Sequence, residues 1–144
     1  GAPGRVHYVL KDELPRGAIV RGRDERLGQV FRNLIDNAVS FSPDGGTVTV
    51  TAARHGICVR VTVEDEGPGI PSDSLESIFE RFYTDRPNQS FGQNSGLGLS
   101  ISKQIVEAHG GSIHAQNRAS VAAGQGEHEP RVLGARFVVR LPAT

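Results

Sequence analysis

An α/β domain of the α+β kind, two layers with a mixed sheet covered on one face by helices, is the fold this sequence predicts, and three observations carry the prediction. Apolar residues between Asp24 and Phe41 recur at spacings of three and four, the period of a helix with one buried face. Two later runs, Thr47–Ala53 and Ile57–Val63, alternate with a period of two and are joined by Arg54-His55-Gly56, as an antiparallel hairpin requires. The helices are of different lengths and do not alternate regularly with strands, and no repeat, linker or coiled-coil heptad divides the chain. All 144 residues therefore read as one domain, long enough to bury ~68% of its unfolded surface.

Taken in order, Gly1-Ala2-Pro3-Gly4 reads as a frayed end. A short strand is expected from Val6 onward, then a turn at Pro15-Arg16-Gly17 and a second short strand at Ala18–Val20. The first helix carries its stripe on Leu27, Val30, Phe31, Leu34, Ile35, Ala38 and Val39, with Asp24 as N-cap and Ser42-Pro43-Asp44-Gly45-Gly46 as its stop. In the hairpin, Val48, Val50 and Ala52 share one face, as do Ile57, Val59, Val61 and Val63. A short helix is expected from Asp73 to about Phe82, because Asp73 and Glu76 have capping-box spacing and Leu75, Ile78, Phe79 and Phe82 form a stripe. Thr84–Ser95 is a polar loop without period, of a length that marks a binding lid or disorder. The last helix spans Leu97–His109 and ends at Gly110-Gly111. A strand near Ser112–Gln116, an aperiodic stretch Asn117–Gly134 and a final strand Ala135–Leu141 complete the chain.

Composition narrows the function. Sixteen basic and sixteen acidic side chains cancel, which removes the electrostatic argument for nucleic acid or an anionic membrane as partner. One cysteine excludes an internal disulfide and favours the cytosol, and no apolar run reaches the ~20 residues that cross a bilayer. Cys58 sits on an expected strand and reads as an inert buried thiol, and the five histidines lie in no metal-ligand spacing. The excess is in glycine, 18 residues, so the placement of the glycines matters.

Three groups of residues could carry chemistry. Asn33 and Asn37 lie one turn apart, roughly 100° to one side of the apolar stripe, at its half-buried margin. They are either ordinary flank residues or two amide oxygens suited to a hard cation such as Mg²⁺. Asp65 ends an apolar strand and is followed by Gly67 and Gly69. That is either a plain turn or a carboxylate placed to accept from a ligand amine, with glycines letting backbone approach. Gly96-Leu97-Gly98-Leu99 opens a helix, where unpaired N–H groups attract anions. It is not a dinucleotide fingerprint, since Ile101 stands where glycine or alanine is needed, and no Gly-Lys-Ser/Thr occurs.

Order is more informative than any one piece. Asn33-Leu34-Ile35-Asp36-Asn37-Ala38, Asp65-Glu66-Gly67-Pro68-Gly69-Ile70, Ile78-Phe79-Glu80-Arg81-Phe82-Tyr83 and Gly96-Leu97-Gly98-Leu99 through Gly110-Gly111 follow one another at intervals that resemble the N, G1, F and G2 boxes of sensor histidine kinases. The resemblance covers about Arg21 to Pro142. Around Phe82–Pro87 and Gln93–Gly96 the wording is similar to ChvG-type envelope sensors of alphaproteobacteria. It implies a Bergerat (GHKL) ATP-binding fold, with about five strands, three helices on one face and a flexible ATP lid. It implies ATP and Mg²⁺ as ligands. Asn37 would bind the metal, with Asn33 its partner a turn earlier. Asp65 would accept from the adenine amine, Gly67 and Gly69 would shape the adenine pocket, and Gly96, Leu97 and Gly98 would line the phosphates. Ile70 and Tyr83 complete the implied nucleotide set, and Phe79, Phe82 and Tyr83 would pack the root of the lid at Thr84–Ser95.

This chain departs from the family's pattern in three places. Ser40-Phe41 stands where Lys-Tyr is common, which removes a phosphate-binding cation. Thr84 stands where arginine is frequent, and Arg86, two residues on, is expected to supply the lid's positive charge to phosphate as a bidentate donor. Asn94 stands where the glycine run usually begins. Related ATPases such as gyrase, Hsp90 and MutL carry a glutamate at the position of Asn33, so its absence favours phosphotransfer over hydrolysis. The implied reaction moves the γ-phosphoryl of MgATP to a histidine in a motif like His-Glu/Asp-x-x-x-Pro, which is not present here; His128-Glu129-Pro130 has its proline too early. The chain is thus expected to be the catalytic half of a protein-histidine kinase, monomeric alone. Its expected partners are a dimerisation domain bearing the phosphoacceptor and a cognate response regulator, in the cytoplasmic part of a membrane-anchored sensor. The rival readings are an ATP hydrolase module and a non-catalytic docking module.

Overall fold

The computed structural model describes residues 7–13, 24–80, 98–119 and 131–142. Among the described residues are five strands and two α-helices: β1 (His7–Glu13), α1 (Asp24–Phe41), β2 (Thr47–His55), β3 (Cys58–Glu64), α2 (Gly98–Ala108), β4 (Ser112–Ala119) and β5 (Val132–Pro142). The strands form one sheet in the order β1-β2-β3-β5-β4. β1 and β2 pair in parallel on either side of α1 in sequence, and the other three pairs are antiparallel, so the sheet is mixed as the sequence predicts.

The three-and-four spacing of α1 places Leu27, Val30, Leu34 and Ala38 in the core, with Val30 and Leu34 fully buried. Each large aliphatic side chain contributes about 1.5–3 kcal/mol on burial, which exceeds what helix propensity alone supplies. The opposing surface is the alternate face of the sheet: Val48 and Val63, then Phe137, Val139 and Leu141, then Ile113. Register keeps these residues together, since Val63 lies between Val50 on β2 and Phe137 on β5. α2 closes the layer with Ile105 and Val106. It ends as its glycines predict: Gly110 has φ +79, its N–H donates to Glu107 O, and the Gly111 N–H donates to Val106 O. On the sheet's other face Glu64 accepts from Arg136 Nε at 2.8 Å and pairs with Arg118 Nε at 3.5 Å.

Several elements differ from expectation. The helix expected from Asp73 to Phe82 is, over its described part, two single 3₁₀ turns, Ser72–Ser74 and Ser77–Phe79. Asp73 lies inside the first turn rather than capping it, and Pro71 precedes that turn without a side-chain cap. Three serines and an aspartate in this stretch compete for backbone hydrogen bonds, and Ile78 and Phe79 bury as neighbours rather than as a helical stripe. Phe79 fixes the segment, edge-on to Phe137 with centroids 6.2 Å apart, with Lys103 Nζ 5.8 Å from its ring centroid. Where three helices are implied, the described residues therefore hold two α-helices and this pair of turns. Ile57 is not on the strand's buried face but 80% exposed, because Gly56, at φ +62, and Ile57 form a two-residue turn between the paired His55 and Cys58. β4 and β5 run further than alternation indicates: Asn117 pairs with Ala135 and Arg118 with Gly134, and a bulge precedes the pairing of Ala119 with Val132. Ladder hydrogen bonds hold these residues where no apolar pattern marks them. The strand expected at Ala18–Val20 lies outside the described residues.

Candidate functional site

One end of the sheet gathers the last residues of β3 and β4 and the first part of β5. Asp65 follows β3 directly and is 2% exposed. Its N–H donates to Ala135 O at 3.0 Å, and its Oδ1 accepts from Gly67 N at 2.9 Å and from Ala135 N at 3.0 Å. A buried carboxylate needs such donors, and two backbone amides on a single oxygen fix its direction. Arg118 Nη1 donates to the Asp65 carbonyl at 2.6 Å. β5 comes so close that a Cβ on Gly134 would meet that same carbonyl oxygen.

The turn after Asp65 packs against the end of α1. A Cβ on Gly67 would lie 2.5 Å from the Phe41 carbonyl oxygen. Gly69 has φ +84, and a Cβ there would lie 2.8 Å from Asn117 Oδ1. Both glycines are thus required by the packing of the protein itself. Ile70 is held by a side chain from β4: its N–H donates to Asn117 Oδ1 at 2.7 Å, and Asn117 Nδ2 donates to Ile70 O at 2.7 Å.

Gly98 is different. Among the described residues, a Cβ there would have Asn33 Cγ as its nearest neighbour, at 3.8 Å, an ordinary contact. None of the described residues requires glycine at this helix start, which carries the N–H groups of the first turn of α2. Asn33 reaches across from α1, its Nδ2 donating to Gly98 O at 3.4 Å and to Ser102 Oγ at 3.3 Å, and Ser102 is fully buried. One helix therefore spans the site. Asn33 lies level with the start of α2, and Phe41 abuts the Asp65–Gly69 turn. Eight residues of rise separate the two, about 12 Å, with Asn37 midway. Asn37 is half-buried at the edge of the apolar stripe, and its carbonyl accepts from Ser40 Oγ at 2.8 Å. Among the described residues no cluster of three or more His, Cys, Asp or Glu side chains could hold a metal. A cation held here would draw on amide oxygens and on its ligand's own oxygens.

The structure thus brings Asp65, Gly67, Gly69 and Ile70 into one turn, Asn33 and Gly98 into one contact, and sets Asn37 between them. Tyr83, Arg86, Gly96, Leu97, Phe82 and the segment Thr84–Ser95 lie outside the described residues. Sequence reasoning missed Asn117, Ala135, Gly134 and Ser102. Asn117 left a signal: in Ile113-His114-Ala115-Gln116-Asn117 it occupies the inward row, where an amide interrupts apolar residues.

A buried strand-end carboxylate thus lies at one end of α1 and a glycine helix start at the other. Residues 22–144 match the histidine kinase-, DNA gyrase B-, and HSP90-like ATPases, and the chain belongs to that family. Within it the likeness is to sensor histidine kinases. The sensor protein ChvG of Rhizobium meliloti (strain 1021) is 51% identical over 98% of this chain, which spans only 24% of ChvG's length. Among solved structures, the mycobacterial sensor histidine kinase MprB superposes with a TM-score of 0.77 at 30% identity, over 96% of this chain and 82% of that one. Full-length ShkA in complex with AMPPNP gives a TM-score of 0.76 at 27% identity, over 96% of this chain and 26% of ShkA.

Proposed function

We propose that the chain binds MgATP between α1, α2 and the Asp65 turn and donates the γ-phosphoryl group to a histidine on a separate dimerisation domain of the same sensor kinase, from which a cognate response regulator receives it. The observation that carries this reading is the buried Asp65 carboxylate. Two backbone donors aim it from the end of β3 at a turn whose glycines bring main chain close. In this role Asp65 accepts from the adenine amine, and Gly67, Gly69 and Ile70 lie against the base. The N–H groups at the start of α2, with Gly96, Leu97 and Gly98, take the phosphates, and a Cβ on Gly98 would meet no described residue closer than 3.8 Å. In this reading Arg86 supplies positive charge to the phosphates and Tyr83 belongs to the nucleotide-binding set.

Asn37, midway along α1, offers an amide oxygen to Mg²⁺, and Asn33 holds the first turn of α2 in place. The donor chemistry fits a hard cation that keeps waters and phosphate oxygens. Magnesium supplies neutralisation of phosphate charge during transfer. The protein's own residues bind, orient and exclude water, which is most of what phosphoryl transfer asks of a protein. Asn33 is an amide whose Nδ2 is already a donor, so it offers no base to activate water for hydrolysis.

No helix among the described residues is long and apolar enough to cross a membrane. In our reading the domain is a cytoplasmic, monomeric module of a membrane-anchored sensor. Isothermal titration with AMPPNP and Mg²⁺ tests the binding half of the proposal: saturable binding below millimolar ligand is expected. No binding at millimolar ligand by a folded chain would refute it.

A further inference from the structure

The motif residues of the Asp65–Ile70 turn are not self-supporting, and the groups that hold the turn come from an edge strand distant in sequence. Two consecutive residues at the end of β4 grip its two ends. Arg118 Nη1 donates to the carbonyl of Asp65 at 2.6 Å, and Asn117 engages both backbone groups of Ile70 at 2.7 Å. An asparagine amide carries one acceptor and two donors, so it can satisfy a peptide N–H and C=O together, as a neighbouring strand would. Asn117 is also the register partner of Ala135, whose N–H donates to Asp65 Oδ1. A Cβ on Gly69 would lie 2.5 Å from Val132 Cγ1 and 2.8 Å from Asn117 Oδ1, so the turn is seated closely on side chains of both β5 and β4.

We propose that Asn117 is a positioning residue for base recognition: by clasping Ile70 it sets the turn that follows the Asp65 carboxylate in the geometry that distinguishes a purine bearing an exocyclic amine from one without it. The proposal rests on the reading of Asp65 as the adenine acceptor. Asn117 touches no ligand in this role and acts through Ile70 and Gly69. Without it the turn loses both tethers at Ile70, while Asp65 keeps its own bonds to Gly67 and Ala135. Nucleotide still binds through its phosphates, and discrimination at the base declines.

The test compares the affinities of ATP and purine riboside triphosphate, which lacks only the amine, by titration calorimetry with Mg²⁺. The unmodified chain is expected to prefer ATP by roughly 10- to 150-fold, the range of one hydrogen bond to a charged group. Asn117→Ala should lower that ratio at least ~5-fold, chiefly through weaker ATP binding. Asn117→Asp, which keeps an acceptor for the Ile70 N–H but sets a carboxylate oxygen against the Ile70 carbonyl, should lower it as well. A merely structural role would weaken both nucleotides by the same factor, and that result, or an unchanged ratio, overturns the proposal. If the unmodified chain binds both nucleotides equally, the assignment of Asp65 fails first and takes this inference with it. Should both variants fail to fold, amide hydrogen exchange of the unmodified, ligand-free chain decides: slow exchange at Ile70 is expected, and exchange at the unprotected rate overturns the clasp.

Discussion

Replacing Asp65 by asparagine separates holding the turn from recognising a ligand. An amide oxygen can still accept from Gly67 N and Ala135 N, the two donors on Oδ1, at 2.9 and 3.0 Å. Each of those bonds then changes from charge-assisted to neutral, a loss of about 1 kcal/mol, or about 2 kcal/mol for the pair. For a chain of this length that is a fall in Tm of roughly 8 °C. Asp65→Ala instead leaves two buried N–H groups without this acceptor, at about 1–3 kcal/mol each, and should melt lower still. Ligand binding reports the second role. The asparagine turns an NH₂ toward the adenine amine, donor against donor, and forfeits about 1.5–3 kcal/mol, a roughly 10- to 150-fold loss of affinity for AMPPNP. Calorimetric melting and isothermal titration on the same samples read both quantities. An Asp65→Asn chain that melts as expected yet binds AMPPNP with native affinity would refute the recognition role. One that melts like Asp65→Ala would refute the account of the backbone bonds.

Gly98→Ala should leave the melting temperature unchanged or slightly raised, since among the described residues the new methyl meets nothing closer than 3.8 Å and alanine favours helix by up to about 1 kcal/mol. Its affinity for AMPPNP should fall at least ~10-fold in titration, about 1.4 kcal/mol lost where phosphate and methyl compete for one space. Asn37→Ala should bind ATP with the same affinity in Mg²⁺ as in EDTA, whereas the unmodified chain binds more tightly with the metal; a persistent metal effect would remove Asn37 from the metal's shell. Leu34→Ala, at a fully buried position facing the sheet, should cost about 2.7–5 kcal/mol by denaturant unfolding, and a cost below 1 kcal/mol would contradict the core described for α1. Glu64→Gln, at a half-exposed cluster with Arg136 and Arg118, should change stability by only about 0–1 kcal/mol and less at high salt.

What could be read from the sequence was what depends on local period. Leu27, Val30, Leu34 and Ala38 announce α1 because burial selects one face of a helix, and β2 and β3 announce themselves through Val48, Val59, Val61 and Val63 in the same way. Asp65, Gly67 and Gly69 stood out because a strand end, a carboxylate and close-approach glycines fall within five residues. The groups that hold them in place did not. Ala135 contributes only backbone, which no side-chain pattern records, and Gly134 is glycine because Asp65, 69 residues earlier, lies against it. Asn117 belongs to the turn through a contact spanning 47 residues. The short segment after Pro71 misled for the opposite reason: its spacing imitates a helix, but a few residues rich in serine lack the length and propensity to form one without a continuous buried stripe.

The central claim is that this chain phosphorylates a histidine on another domain. The most direct measurement mixes the chain, MgATP labelled on its γ-phosphate and the separately purified dimerisation domain of a ChvG-type relative, then follows the label. The account predicts label on the dimerisation domain as an acid-labile, base-stable phosphohistidine, formed by the unmodified chain and lost with Asp65→Asn. Label released as inorganic phosphate, with none on the dimerisation domain, would contradict it.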